Sequence, residues 1–246
     1  MKLILKIQSG IADRARGMLW AMDMAEQTGR DLEVIWERTS ECGANFTDLF
    51  QPISIPVHDS DVYPEYRLLD MSFFSDEVCR KLLLACEENI KLNFIAERRD
   101  FFGFAETFKP SDYVAACVRS FGMRLDRDCV GVHIRRGDKE GHLEFPTSRE
   151  YFNIIPRNTQ VFLATESIGV LGEFSSYYEN RLRWYPVRSL DRNNREATID
   201  SAVVLFLLRG MKYFVSSEYS GFSAMVHGGF RVDDPAKRLC FYTFPR

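Results

Sequence analysis

Cys129-Val130-Gly131-Val132-His133-Ile134-Arg135-Arg136-Gly137-Asp138-Lys139 runs from an apolar strand straight into two arginines. The stretch up to Ile134 is short, β-branched and preceded by the polar Gly122 to Asp128, which reads as a buried central strand. In open α/β sheets, ligands bind beyond the carboxyl ends of the strands. Two guanidinium groups placed there are costly without anionic partners, and the planar fork of Arg matches phosphate oxygens. A diphosphate is the natural guest. The plainer alternative is a structural ion pair at a strand end, for example Arg136 with Asp138.

Working outward, strands and helices alternate on both sides of this segment. Toward the C-terminus, Val161–Ala164 reads as a strand followed by a helix to about Glu179. Arg183–Val187 reads as a short strand, Glu196–Gly210 as a strongly apolar helix and Lys212–Ser216 as a strand, and Ser220–Val226 opens a helix. Toward the N-terminus, Leu3–Ile7 reads as a strand. A helix follows with apolar residues at Ile11, Ala15, Met18, Leu19, Met22 and Ala25, and Leu32–Trp36 reads as a second strand. Strand, turn, helix, strand is a βαβ unit and implies a parallel sheet. Residues 51–70, rich in Pro, Asp and Ser, read as a long surface excursion. A helix is expected from Ser75 to about Asn89 and another from Pro110 to about Gly122. The boundary between two α/β lobes is expected within 122–128, dividing the chain into 1–125 and 126–246.

The composition fits this picture. The chain has 246 residues, 46% hydrophobic and 27% charged, as an ordinary globular protein has. A net charge of −3 argues against a globally basic nucleic-acid binder. None of the six cysteines forms a CxxC pair or a zinc-finger spacing, so they read as reduced, buried thiols of a cytoplasmic protein; the even count leaves disulfides as the weaker alternative. The longest apolar run, Ala202–Leu208, is far below the roughly 20 residues of a membrane span.

Three further features carry possible chemistry. Ser216-Ser217-Glu218-Tyr219-Ser220-Gly221-Phe222-Ser223 lies between a strand and a helix, where hydroxyls and free N–H groups suit an anion; the plain alternative is an N-cap at Ser220. Ser9-Gly10-Ile11-Ala12-Asp13-Arg14 forms the first strand–helix turn, where Gly10 would let backbone approach a ligand with Asp13 and Arg14 beside it; the plain alternative is a turn glycine. It lacks GxGxxG, so the dinucleotide fingerprint is absent. Asp200 opens an apolar helical stretch, as a helix-start carboxylate or facing a ligand. No Walker A, HExxH or GxSxG motif occurs. Asp59-Ser60-Asp61 matches DxD only by letters, so no metal site is expected.

These segments resemble the GDP-fucose-dependent fucosyltransferases of GT-B type, the group of α1,6-, nodulation and protein O-fucosyltransferases. His133–Lys139 matches the H-x-R-R-x-D-K segment of that family. Val161–Glu166 is similar to its V-[FY]-L-A-T-[DE] strand, Asp200–Ser223 to its D…L…L…V-x-[ST]…S segment, and Gly10–Arg14 to its first turn. The resemblance implies two Rossmann-like lobes with a nucleotide cleft between them, an acceptor lobe at 1–125 and a donor lobe at 126–246. It implies inverting, metal-independent transfer of fucose to a glycan or protein hydroxyl, with no cofactor beyond the donor. Arg135 would contact the β-phosphate, His133 the guanine and Ser220 phosphate. Arg136 would support the site, Asp200 would be near the nucleotide, and Gly10 would pass under the diphosphate. The base of some relatives aligns with Leu143, so Glu144 or Glu140 is left to take the acceptor proton, with His142, a lone histidine in a polar loop, a weaker candidate. Ala12 and Asp13 replace the usual Gly-Asn, and Val204 stands where many relatives carry a second carboxylate. These departures support an alternative, a decayed sugar-nucleotide or glycan-binding protein on the same fold; a third reading is a transferase using another sugar nucleotide. Phe101, Phe102, Phe104 and Phe108 are expected to be divided between core and a sugar-stacking surface.

Overall fold

A computed structural model describes residues 1–71, 74–93, 103–136, 146–217, 220–228 and 239–243. The chain divides into two compact units, Met1–Asp112 with Asp191–Ile199, and Tyr113–Leu190 with Asp200–Arg246. Each is built on one five-stranded sheet.

The first unit contains β1 (Lys2–Lys6), α1 (Ile11–Thr28), β2 (Asp31–Ile35), α2 (Phe46–Leu49), β3 (Val57–His58), β4 (Leu68–Asp70), α3 (Asp76–Ala85), β5 (Ile90–Asn93) and α4 (Phe104–Thr107). The strand order is β3-β2-β1-β5-β4 and every pair is parallel. The expected βαβ unit is therefore present. Two expectations need correction. The excursion at 51–70 supplies both edge strands, β3 and β4, which at two and three residues are too short to show a period. The helix expected to reach Asn89 stops at Ala85, and the inner strand β5, between β1 and β4, begins at Ile90. Arg30 explains the stop. Its buried guanidinium donates to the carbonyls of Leu83 at 2.8 Å, Glu88 at 2.8 Å and Cys86, satisfying acceptors that a continuing helix would have used.

One face of this sheet is charged, which is unusual for a parallel sheet. Glu33 accepts from Lys2 Nζ at 2.5 Å, the Tyr63 hydroxyl at 2.5 Å and His58 Nε2 at 2.9 Å. Asp61 pairs with Lys6 at 2.9 Å and Lys91 at 2.5 Å. Burial alone would raise both carboxyls, but these hydrogen bonds outweigh it and hold each at about 2. The excursion is thus fastened to the sheet by ion pairs. Phe104 and Phe108 are buried beside Trp36, Phe46 and Phe50, so neither offers a sugar-stacking surface. Phe101 and Phe102 lie outside the described residues.

The second unit contains α5 (Asp112–Gly122), β6 (Val130–Ile134), α6 (Ser148–Ile154), β7 (Val161–Thr165), α7 (Ile168–Tyr178), β8 (Leu182–Arg183), α8 (Arg195–Arg209, in this unit from Asp200), β9 (Tyr213–Ser217), α9 (Gly221–His227) and β10 (Leu239–Thr243). The order is β10-β9-β6-β7-β8. The last four strands are parallel, and β10 is antiparallel to β9. All five residues of β6 are buried. Its Val130, Val132 and Ile134 share a core with Val161, Leu163, Val215, Phe174 and Tyr178. Gly131 lets α8 approach, since a Cβ there would lie 2.8 Å from Met211 Sδ and 2.9 Å from Leu208 Cδ2. Among the described residues, no helix is long and apolar enough to cross a membrane, and Cys42, Cys79, Cys86, Cys117 and Cys129 are free thiols, three of them buried.

Within the first unit, Asp191–Ile199 docks by hydrogen bonds from the Gly43 amide to Arg192 O at 2.8 Å and to Thr198 Oγ1 at 3.1 Å. A Cβ on Gly43 would sit 2.1 Å from Asn193 O, a backbone atom that cannot swing aside. Gly43→Ala should therefore cost roughly 3 kcal/mol or more of stability. A Cβ on Gly172, inside α7, would have no neighbour within 4 Å. Gly172→Ala should instead stabilise by about 0.5–1 kcal/mol. Urea unfolding of the two variants checks both signs.

Candidate functional site

After β6 the chain crosses to β7 and β8 on one side, then returns through α8 to β9 on the other side of β6. Crossovers leaving a central strand in opposite directions open a crevice at its carboxyl end. The switch point of this unit lies between β6 and β9. His133 pairs with Ser216 there, and Arg135 and Arg136 follow the last strand residue.

His133 is buried and joins the two flanks. Its Nδ1 lies 2.7 Å from Ser223 Oγ, and its ring centre is 4.9 Å from that of Phe222. Burial, and then the charge of Arg135, push its pKa down to about 3, so the imidazole is neutral. Ser220 N-caps α9 through Oγ, which accepts from the Ser223 amide at 3.3 Å, and Gly221 is the first helical residue. Both Ser216 and Ser220 are buried. Ser217 ends β9.

Arg136 is fixed at both its amide and its side chain. The Arg136 amide donates to Glu166 Oε1 at 2.5 Å, and its guanidinium donates to Pro146 O at 2.5 Å and to Arg135 O at 3.3 Å. Arg136 is tied into the scaffold. Arg135 is half-buried at the strand's carboxyl end. Asp138, Glu140 and Glu144 lie outside the described residues.

Asp200 is in the second turn of α8, not at its start, and is fully buried. It accepts from the Arg188 amide at 2.7 Å and from Arg188 NH2 at 2.8 Å, and that pairing raises the Arg188 pKa. The carboxylate is thus committed to Arg188.

In the first unit, Gly10 N-caps α1 with ordinary extended backbone, and a Cβ would meet only Glu41 O at 3.8 Å. The protein itself therefore makes no demand for glycine at this position. Asp13 is neutralised by an ion pair with Arg16 one turn on. Arg14 is buried over the Trp36 ring at 4.9 Å and donates to Ser9 O at 2.6 Å, Glu37 O at 2.7 Å and Thr39 Oγ1 at 3.0 Å. It ties the loop after β1 to the loop after β2.

Arg188 has no pattern around it in the sequence. Glu166 closes the V-[FY]-L-A-T-[DE] segment and Ser223 stands three residues after an N-cap serine, but neither is singled out there as a site residue. Among the described residues, no group of three His, Cys, Asp or Glu side chains is arranged to hold a metal ion.

The neutral state of His133 has a measurable consequence. Between the usual pKa of 6.5 and about 3, the unfolded chain binds a proton that the folded chain does not. This contribution to stability is complete above about pH 6.5 and is lost as pH falls toward 3. His133→Gln removes the proton site, so the stability gap between parent and variant should narrow from about pH 7 to about pH 4 in urea unfolding. A gap that stays constant would show that His133 titrates alike in both states.

No family model matches the chain, and no curated protein matches it by sequence. Solved structures do match. One is the NodZ α-1,6-fucosyltransferase soaked with GDP-fucose, at TM-score 0.67 and 17% identity over 99% of both chains; NodZ has been solved from Bradyrhizobium. Another is the R284K mutant of Arabidopsis thaliana FUT1 with GDP, at TM-score 0.63 and 12% identity over 92% of this chain and 68% of that one. A third is POFUT1 with GDP, at TM-score 0.56 and 11% identity over 92% and 93%. At such identities what is shared is the fold: this chain has the α/β architecture of the GT-B fucosyltransferases.

Proposed function

We propose that the chain is a glycosyltransferase that takes fucose from GDP-fucose and passes it to a glycan or protein hydroxyl. The observation that carries this reading is Arg135 at the carboxyl end of β6, beside the switch point of a fold whose solved examples include complexes with GDP and GDP-fucose. The donor belongs to the second unit and the acceptor to the first. Cleavage of the C1–O bond passes through an oxocarbenium-like state and leaves charge on the departing diphosphate. Arg135 stabilises that charge as it develops. His133 lies against the guanine and Ser220 against phosphate. Arg136 supports the arginine turn, and Gly10 gives a backbone approach to the diphosphate. Glu144 or Glu140 accepts the proton of the acceptor hydroxyl as its oxygen bonds to C1 on the face opposite the departing GDP, a single displacement that inverts C1. In this scheme a guanidinium takes the place of a metal ion. The free thiols support a reducing, cytoplasmic setting.

Asp13, Val204 and Leu143 favour a second reading, a decayed sugar-nucleotide binder. Release of free fucose from GDP-fucose separates the two, because a dead scaffold releases none.

Calorimetric titration of GDP and GDP-fucose tests the main reading. The parent should bind both, and Arg135→Ala should bind about 10- to 100-fold more weakly, the worth of one charge-assisted hydrogen bond. Equal binding by parent and variant removes Arg135 from the phosphate site. A parent that binds neither ligand overturns the reading as a whole.

A further inference from the structure

We infer that Glu166 is a positioning residue for the donor diphosphate, acting through the backbone of the Arg135–Arg136 turn; the inference rests on the GDP-fucose reading above. The ladder between β6 and β7 closes with Ile134 opposite Thr165, so Arg135 and Glu166 are the first residues past the ladder on adjacent strands. There the Arg136 amide leaves the ladder. The Glu166 carboxylate takes it up at 2.5 Å, a charge-assisted bond of the stronger kind.

The same residue is held from its other end, where the Arg136 guanidinium donates to Pro146 O at 2.5 Å. Arg135 therefore sits between the last ladder residue of β6 and a neighbour fixed at both amide and side chain. This arrangement sets the backbone from which the Arg135 guanidinium is presented, and a shift of about 1 Å in a charge-bearing group is enough to spoil such a contact. Asp200, the buried carboxylate of α8 in the same unit, is differently employed, since Arg188 engages it. Glu166 touches backbone and not the reacting atoms, so its effect is felt only through Arg135.

The test compares GDP with GMP, which lacks the β-phosphate that Arg135 is expected to meet. In Glu166→Ala, GDP should bind about tenfold more weakly while GMP changes less than about twofold. Glu166→Gln keeps an oxygen that can accept the amide proton, and should hold GDP affinity within about threefold of the parent. Should Glu166→Ala fail to fold, Glu166→Asp carries the same comparison, because its shorter side chain cannot reach the amide unmoved. Loss of GDP and GMP affinity in equal measure points to a merely structural role and overturns the inference. So does unchanged GDP binding in Glu166→Ala, or a Gln variant as weak as the Ala variant. A parent that fails to bind GDP strikes the proposed function itself, and is told apart by that control.

Discussion

A central parallel strand whose two crossovers depart to opposite sides leaves its carboxyl end uncovered, and that constraint organises the second unit. β6 is flanked by β7 on one side and β9 on the other, with all five of its residues buried. Burial demands apolar side chains and one close helix contact, which Gly131 allows by giving α8 the room a Cβ would take. The polar groups can then appear only where the strand ends. His133, the last polar residue before that end, is kept neutral by burial and linked to α9 through Ser223.

Several arginines work as backbone clamps. Arg14, Arg30 and Arg136 give their donors to backbone carbonyls, fixing the first turn, ending α3 and closing the arginine turn. A guanidinium suits this work because it offers several N–H groups in a rigid plane and no acceptor. Arg188 is a variant of the same use, holding a fully buried carboxylate. Arg135 differs in position, since it follows the central strand at the switch point. The sequence places Arg135 and Arg136 side by side, and the fold shows that Arg136 is fastened at its amide and its side chain.

Much of the fold is legible in the sequence because its main strands are long enough to show a pattern. β1, α1 and β2 follow from alternation of apolar and polar stretches, and β6, β7, α7, α8 and β9 follow in the same way. The pieces that escape are short or depend on distant partners. β3 and β4 have two and three residues, and β5 hides behind a helix that Arg30 cuts short from more than fifty positions away. The charged face of the first sheet reads as an excursion because Asp61 and Tyr63 are loop-like by composition; their partners Lys2, Lys6, Glu33 and Lys91 lie on three other strands. In the candidate site, the arginine turn and the serine cap are visible as motifs. Glu166 is visible only as the end of the β7 segment and its contact is not, since that contact is a hydrogen bond to an amide thirty residues away, and the partner of Asp200 is a loop arginine with no pattern around it.

The decisive measurement is a crystal structure of the chain with GDP bound. The pyrophosphate should lie over the carboxyl end of β6, with the Arg135 guanidinium at hydrogen-bond distance from a β-phosphate oxygen and the base close to His133. Pyrophosphate held elsewhere, with Arg135 turned to solvent or spent on a carboxylate of the chain, would be incompatible with the strand end as the donor site.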